Sequence, residues 1–288
     1  MVVPHCATVL VIDSGIGGMS IVRQMRTLSK EIDVLYIADN AYFPYGNLSH
    51  DVILSRLTCL IETVQNAHRI DAVVIGCNTA TVLMIDQLRD AFPLPFVGIV
   101  PAIKTAAEIS KTRKFTLLAT DNTSQSQYLD DLIARFADDC EVLKVGCPGL
   151  ADIAEGKIYG KPVSQPLIEG IFQRLSETSK THLNESDVIL LGCTHYAFVL
   201  AELRKHFRDG QHVIEPSMPV AKRLMWVLGN QIASTSTANL VAKSEGKLAF
   251  QQQANRFYFT AATKTNTAFT HFLSIHGFDG VNVLAHLS

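Results

Sequence analysis

The sequence lacks the features that mark membrane, secreted or nucleic-acid-binding proteins. Its apolar runs, such as residues 73–75 and 189–191, are far too short to cross a bilayer. Residues 1–7 show no charged start followed by a long apolar stretch, so no signal peptide is expected. A formal net charge of -2 offers no basic surface for nucleic acid. We therefore expect a cytoplasmic protein that binds neither nucleic acid nor membrane.

Cysteine is scarce, and its spacing excludes two common uses. The six cysteines among 288 residues form no Cys-x-x-Cys pair and no Cys/His cluster with zinc-ligand spacing. Disulfide scaffolds are typical of short secreted domains rather than of chains of this length. We expect free thiols and no metal site. The default role of each cysteine is that of a small buried hydrophobic residue, and only context can change it.

The composition and the order of patterns indicate an α/β fold. Hydrophobic residues make up 48% of the chain and charged residues 18%, a balance typical of a globular protein with a sizeable core. Short β-branched runs alternate with segments of helical periodicity, which predicts parallel sheets with helices on both faces. Residues 234–239, rich in Ser, Thr and Asn, are predicted to form a surface loop. Strands are predicted at 8–12, 34–38, 72–75, 96–100, 115–119, 141–145, 188–191 and 257–260, and helices from Ser49, over 80–91, along a face with Ile168, Ile171, Phe172 and Leu175, after Tyr196, and over 267–275.

One short pattern occurs twice. Residues 73–79 are Val-Val-Ile-Gly-Cys-Asn-Thr, and residues 189–195 are Ile-Leu-Leu-Gly-Cys-Thr-His. In each copy an apolar strand ends at a glycine, and a cysteine follows at the carboxyl edge, where open α/β sheets bind ligands. The helix expected after each cysteine favours its thiolate form. Cys77 and Cys193 are therefore candidate reactive residues.

Two opposed thiols suit the inversion of a carbon centre. One group removes a proton from one face, the other delivers a proton to the opposite face, and the roles exchange with the direction of reaction. A thiol has a reference pKa near ~8.5 that a site can lower, so one cysteine can be the base and the other the acid. His195 could assist Cys193 or be an ordinary surface or capping histidine. Asp13, after the first strand, could assist Cys77, bind a substrate ammonium or cap a turn.

Three polar loops accompany the cysteines. Residues 13–18, Asp-Ser-Gly-Ile-Gly-Gly, lack the G-x-G-x-x-G spacing and the P-loop lysine, so a dinucleotide site is disfavoured. Residues 39–46 end in Pro-Tyr-Gly, which favours a tight turn whose backbone amides can bind a carboxylate. Thr120, Thr123 and Ser126 are further donors at a helix start. Together these loops predict a site for a small zwitterion that carries carboxylates.

The motifs, taken as a set, resemble those of the glutamate racemases within the aspartate/glutamate racemase superfamily. The resemblance covers about residues 9–277, nearly the whole chain. Thr-His after the second cysteine is typical of the glutamate branch rather than of the aspartate or hydantoin branches. The matching motifs are Asp-Ser-Gly-Ile-Gly-Gly at 13–18, Pro-Tyr-Gly at 44–46, Gly-Cys-Asn-Thr-Ala at 76–80, Ala-Thr at 119–120 and Gly-Cys-Thr-His at 192–195.

The resemblance implies an architecture and a biological role. It implies two pseudo-symmetric α/β domains, each with a mostly parallel sheet flanked by helices, and an active site between them. The first domain is expected at 1–99 plus 214–288 and the second at 100–213. It also implies an isomerase that interconverts L- and D-glutamate without pyridoxal phosphate or metal, and that supplies D-glutamate for peptidoglycan, and so for cell-wall biogenesis and cell shape, in a bacterium. A homodimer and activation by a cell-wall precursor are both compatible with it.

The resemblance also implies roles for single residues. Cys77 would take the α-proton of D-glutamate and Cys193 that of L-glutamate. Asp13 and His195 would support the neighbouring thiols. The residues expected to bind substrate are Ser14, Tyr45, Gly46, Asn78, Thr79, Thr123 and Thr194.

Three other functions remain open at this point. Ile12, Ala197 and Glu215 stand where the family usually has an aromatic residue, proline and aspartate, which leaves the side-chain selectivity open. A racemase of aspartate or another amino acid would be distinguished by a substrate panel, because one methylene is worth only ~1–3 kcal/mol in a pocket. A non-catalytic amino-acid-binding module would show no exchange of the α-proton with solvent. A pyridoxal enzyme would show a visible absorbance band.

Overall fold

The computed structural model describes residues 7–235 and 255–284, which form two parallel β-sheets flanked by helices. Within these residues, no helix is long and apolar enough to span a membrane. The strands are β1 (Ala7–Asp13), β2 (Ile32–Ala38), β3 (Ala72–Ile75), β4 (Phe96–Gly98), β5 (Lys114–Ala119), β6 (Glu141–Gly146), β7 (Val188–Leu191), β8 (His212–Ile214), β9 (Arg256–Phe259) and β10 (Val281–Val283). The α-helices are α1 (Met19–Leu28), α2 (His50–Ala67), α3 (Asn78–Ala91), α4 (Ile103–Ile109), α5 (Asp121–Ser124), α6 (Gln127–Phe136), α7 (Leu150–Ile158), α8 (Gln165–Gln173), α9 (Glu177–Glu185), α10 (Leu200–Leu203), α11 (Ser217–Thr235) and α12 (Thr267–Ile275).

The strand order separates the chain into two halves. The first sheet has the order β10-β9-β2-β1-β3-β4, and the second has the order β6-β5-β7-β8. Every pairing between these strands is parallel, as the alternating pattern predicts. Helix α11 packs against α1, and Val220 and Leu224 share a core cluster with Phe257 of β9. The chain thus returns to the first sheet after β8, whereas the domain boundaries at 99 and 214 stay predictions.

Strand β1, an inner strand of the first sheet, is apolar on both faces. Val9 and Val11 of β1 pack into one buried cluster. Leu10 and Ile12 pack into a second cluster on the opposite face. Because successive side chains of a strand point to opposite faces, a strand between two layers of helices must be apolar throughout. This explains why the sequence shows a continuous apolar run at this strand rather than alternation.

Two helix predictions need correction at the strand ends that carry the cysteines. Helix α3 begins at Asn78 rather than near residue 80, because the Cys77 carbonyl already accepts the Thr81 amide at 2.9 Å. After Tyr196 there is no long helix. A 3-10 turn over Thr194–Val199 leads into the single turn of α10, and the buried Tyr196 hydroxyl, which donates to the Cys147 carbonyl at 3.4 Å, anchors that turn.

Other differences concern helix ends and the predicted loop. Leu175 lies beyond α8, which ends at Gln173. The loop predicted over 234–239 begins too early, since α11 continues to Thr235, and residues 236–239 lie outside the described residues. The five cysteines among the described residues are free thiols, as expected.

Candidate active site

One pocket collects the predicted residues at the carboxyl edges of both sheets. Cys77 follows β3 and Cys193 follows β7, and each occupies the N-cap position of the next helical segment. Both side chains are buried and both line the same pocket. The pocket is small and partly open to solvent, and residues of both halves of the chain line it.

Nine of the eleven residues predicted for the site line this pocket. Asp13 and Thr123 are also buried but lie behind the lining, where they contact residues of the wall. The sequence therefore located residues that meet in space although they belong to opposite halves of the chain. The nine lining residues are Ser14, Tyr45, Gly46, Cys77, Asn78, Thr79, Cys193, Thr194 and His195.

The surroundings of Cys77 favour the neutral thiol. Burial raises the pKa of the Cys77 thiol, and the negative charge of Asp13 raises it further. Hydrogen bonds from the Ala80 amide and the Ser14 hydroxyl oppose this rise without reversing it. The nearby Cys193 also contributes to the raised pKa of Cys77, and both thiols line the same pocket. These surroundings suit Cys77 to act as an acid rather than as a base.

Cys193 lies beside a histidine that is itself bound to a carboxylate. Its sulfur lies 3.9 Å from His195 Nδ1, and His195 Nε2 lies 2.7 Å from Glu155 Oε2. Burial alone lowers the pKa of His195, but the contacts with Cys193 and Glu155 outweigh it and raise that pKa well above its usual range. The contact with Glu155 therefore favours the protonated form of His195, whose ring lies next to the Cys193 sulfur. The ring of Phe43 covers the imidazole at a centroid distance of 5.5 Å.

The glycine loop after β1 connects the two halves of the site. The Asp13 carboxylate accepts the Gly15 amide at 2.8 Å and the Thr194 hydroxyl at 3.2 Å. Burial raises the pKa of Asp13, against the opposing charge of His195. The next amide of the loop, that of Ile16, donates to Glu155 at 3.3 Å. Two consecutive backbone amides of one short loop thus bind two carboxyl groups, one from each half of the chain.

The opposite wall of the pocket is lined with uncharged polar groups. The Thr79 hydroxyl lies 3.3 Å from that of Thr120 and 3.1 Å from that of Thr123, so residues of both halves form one hydroxyl cluster. The side-chain nitrogen and oxygen of Asn78 are buried and have no hydrogen-bond partner. Buried amides are almost always satisfied, so this orphaned amide marks a position for a polar ligand.

Tyr45 contributes to the site differently from what its sequence position indicates. Its hydroxyl donates to Asp39 at 2.6 Å and is therefore directed at the protein. Asp39 also binds Arg56 at 2.9 Å and the Thr260 hydroxyl at 2.6 Å. This buried cluster fixes the loop, and Gly46 brings the loop close to Thr120, where a Cβ would lie 3.3 Å from the threonine.

Sequence reasoning missed four contributors. Glu155 lies within α7, in a segment with no recognisable pattern, and no local signal identifies it as the partner of His195. Phe43 and Ala151 line the pocket as apolar residues. Asp39 could have been found, because it follows β2 just as Asp13 ends β1, and a carboxylate at a strand's carboxyl edge is a recognisable signal.

Comparison with known proteins points to one family. Residues 9–222 match the family model described as Asp/Glu/hydantoin racemase. A glutamate racemase from Haemophilus influenzae is 35% identical over 277 residues, 96% of this chain and 96% of that protein. One from Pectobacterium carotovorum is 37% identical over 230 residues, 79% of this chain and 78% of that protein. The crystal structure of Escherichia coli glutamate racemase with L-glutamate and the activator UDP-MurNAc-Ala matches with a TM-score of 0.83 and 32% identity, covering 98% of this chain and 99% of that one.

Proposed function

Since the chain belongs to the Asp/Glu/hydantoin racemase family, and within it to the glutamate racemases, we propose that Cys77 and Cys193 exchange protons with the α-carbon of glutamate from opposite faces. The observation that carries this proposal is the placement of two buried thiols, from the ends of β3 and β7, in one small pocket. A racemase must remove a proton on one face and deliver one on the other, and two fixed groups do this without moving.

The neighbours of the two thiols suggest their roles in one direction. Cys193, with His195 beside its sulfur to assist the proton transfer, is the base that takes the α-proton of L-glutamate. The Cys77 thiol, whose pKa is raised, is the acid that protonates the other face and yields D-glutamate. In the reverse direction the thiolate is at Cys77, and Asp13 and His195 support the exchanged protonation states. This chemistry requires only side chains of the chain itself.

The uncharged polar wall is suited to hold the substrate while the proton moves. The Asn78 amide has unused donors and an unused acceptor, and the hydroxyls of Thr79, Thr120 and Thr123 lie beside it. Such groups bind carboxylates and an ammonium without placing a fixed charge next to the carbanion-like transition state. We propose that Ser14, Gly46 and Thr194 complete this cradle, with Tyr45 acting through its loop.

The decisive experiment follows the α-proton. The purified protein is incubated with L-glutamate in D₂O without added cofactor, and optical rotation and α-deuterium are measured early in the reaction. With two acid/base groups, the D-glutamate formed carries solvent deuterium while the remaining L-glutamate keeps its proton. D-glutamate that retained its original proton would refute the two-thiol mechanism. No racemisation of glutamate would refute the substrate, and aspartate would be tried next.

Cysteine variants test the assignment within the chain. Cys77→Ala and Cys193→Ala should each abolish racemisation and leave the thermal unfolding temperature close to that of the wild type. Cys147→Ala is the matched control, because Cys147 is equally buried at the end of β6 but does not line the pocket. It should retain most of the activity. Turnover by either pocket variant at more than a few per cent of the wild-type rate would contradict the mechanism.

The biological role follows from the reaction. We propose that the D-glutamate formed is used for peptidoglycan, and that the chain responds to a cell-wall precursor, because the Escherichia coli relative is crystallised with the activator UDP-MurNAc-Ala. Racemisation rates measured with and without that nucleotide test this regulation, and an unchanged rate would contradict it. Cytoplasmic location and a homodimer remain predictions, to be tested by cell fractionation and by sedimentation.

A further inference from the structure

We propose that the hydroxyl of Tyr36 is a positioning group for both thiols. It fixes the glycine loop, whose amides bind the carboxyl groups of Asp13 and Glu155, the residues that act on Cys77 and on His195 beside Cys193. The loop is residues 15–18, between β1 and α1. This inference rests on the proposed two-thiol function. It assigns a role to Tyr36, a core residue that does not line the pocket.

Tyr36 contacts the loop at both of its ends. Its side chain is fully buried in β2, and its ring stacks on Phe257 at a centroid distance of 4.9 Å with an interplanar angle of 10°. The hydroxyl donates to the Gly15 carbonyl at 3.0 Å. A Cβ at Gly18 would lie 3.0 Å from the same hydroxyl oxygen, so the far end of the loop also rests on it.

The loop, in turn, binds the carboxyl groups behind each thiol. The Gly15 amide donates to Asp13, which lies close enough to Cys77 to raise its pKa. The Ile16 amide donates to Glu155, which binds His195 beside Cys193. A shift of this loop would therefore displace the supporting groups of both thiols at once.

The surroundings of Tyr36 give the hydroxyl no other evident purpose. The ring belongs to an apolar cluster with Val34 and Ala38 of the same strand, and a phenylalanine would stack on Phe257 equally well. A hydroxyl in an apolar core is unfavourable unless it is hydrogen-bonded, and here its bond goes to the loop. The position is therefore better explained by support of the loop than by packing.

The test compares Tyr36→Phe with a matched loss of a buried hydroxyl elsewhere. Thr116→Val is the control, because Thr116 is fully buried in β5 and its hydroxyl bonds that of Ser186 at 2.9 Å, away from the pocket. A neutral hydrogen bond is worth ~0.5–1.5 kcal/mol, so kcat/KM per folded molecule should fall by a factor of about 2 to 13 in Tyr36→Phe. It should stay within about twofold of the wild type in the control. Replacement of Tyr36 by 3-fluorotyrosine, which keeps the hydroxyl, should restore the rate.

Isotope effects show whether both thiols are affected. Because L- and D-glutamate are equally stable, kcat/KM changes equally in both directions for every variant and cannot separate them. The kinetic isotope effect of α-deuterium can separate them, because it reports proton removal by Cys193 when the substrate is L-glutamate and by Cys77 when it is D-glutamate. Tyr36→Phe should keep the wild-type ratio of the two isotope effects. The inference is refuted if the isotope effect rises in one direction and falls in the other, or if the rate per folded molecule is unchanged while the wild-type chain racemises glutamate.

Discussion

A methyl group at Gly17 should disable the site without disturbing the fold. The backbone at Gly17 lies outside the left-handed region, so alanine fits the local conformation. The added Cβ, however, would lie 2.4 Å from His195 Nδ1 and 2.4 Å from the Thr194 hydroxyl. Since Thr194 and His195 belong to the second half of the chain, the clash falls on the contact between the halves.

The size of the effect follows from the displacement that the clash requires. Non-bonded carbon contacts are comfortable at about 3.5 Å, so Thr194 and His195 must move away from the loop by roughly 1 Å. A misplacement of about 1 Å in catalytic geometry costs on the order of 10²-fold in rate. We therefore expect Gly17→Ala to lower kcat/KM by about two orders of magnitude.

Racemisation and unfolding are measured side by side on the same samples. Circular dichroism of glutamate gives the rate, and thermal unfolding gives the stability of the variant. Gly170→Ala is the control, because a Cβ at Gly170 in α8 meets no atom within 4 Å. Alanine in a helix interior is favourable relative to glycine by ~0.5–1 kcal/mol, so the control should be active and slightly more stable.

Two outcomes would refute this reasoning. If Gly17→Ala kept its activity within about threefold of the wild type, the close contact between the glycine loop and His195 would not be part of the working enzyme. If the variant lost activity only in proportion to a loss of folded protein, the clash would act on folding rather than on the contact between the halves.

Two further predictions follow from buried charges. In Glu155→Gln the pKa of His195 should fall, so the alkaline limb of the kcat/KM profile should move to lower pH; an unmoved limb would contradict the assigned role of Glu155. Because the pKa of His195 is higher in the folded than in the unfolded chain, its protonation stabilises the fold fully at pH values below the unfolded-state pKa. This stabilisation is lost as the pH rises through the folded-state pKa, and Glu155→Gln should reduce it. Arg56→Met should cost about 3–5 kcal/mol in urea unfolding, since it leaves the buried Asp39 carboxylate without its cation. Arg69→Met, which breaks the more exposed ion pair with Asp71, should lower the free energy of unfolding by less than about 1 kcal/mol. Equal losses of stability in the two variants would refute the distinction between the buried and the exposed pair.

The positions of the two cysteines were predictable because strand ends are encoded locally. A continuous apolar run fixes β3 and β7, and the glycine that follows fixes where each strand stops. In parallel sheets the carboxyl edges are where ligands bind, so Cys77 and Cys193 could be assigned to the site without any knowledge of tertiary contacts. The same logic placed Asp13. Each of these assignments needs only the residues adjacent in sequence.

The partners of those residues could not be predicted in this way. Ile16 and the Glu155 carboxylate it binds are separated by 139 positions, and Thr194 and Asp13 by 181. Nothing in the sequence near Glu155 distinguishes it from an ordinary exposed helical glutamate. Its role arises only because α7 of the second half packs where the loop of the first half ends. Such contacts depend on how two halves meet, which periodicity and spacing do not describe.

The glycines of the loop after β1 show how composition can point to a contact without naming it. A glycine-rich loop between a strand and a helix often binds phosphate, but the spacing of these glycines disfavours a dinucleotide site. The structure explains these glycines by close contacts with the other half of the chain. A Cβ at Gly15 would lie 2.4 Å from Glu155 Oε2, just as one at Gly17 would meet His195. The missing side chains leave room for the carboxylate and the imidazolium of the opposite half, so a glycine-rich turn can indicate a protein group that docks there as well as a bound ligand.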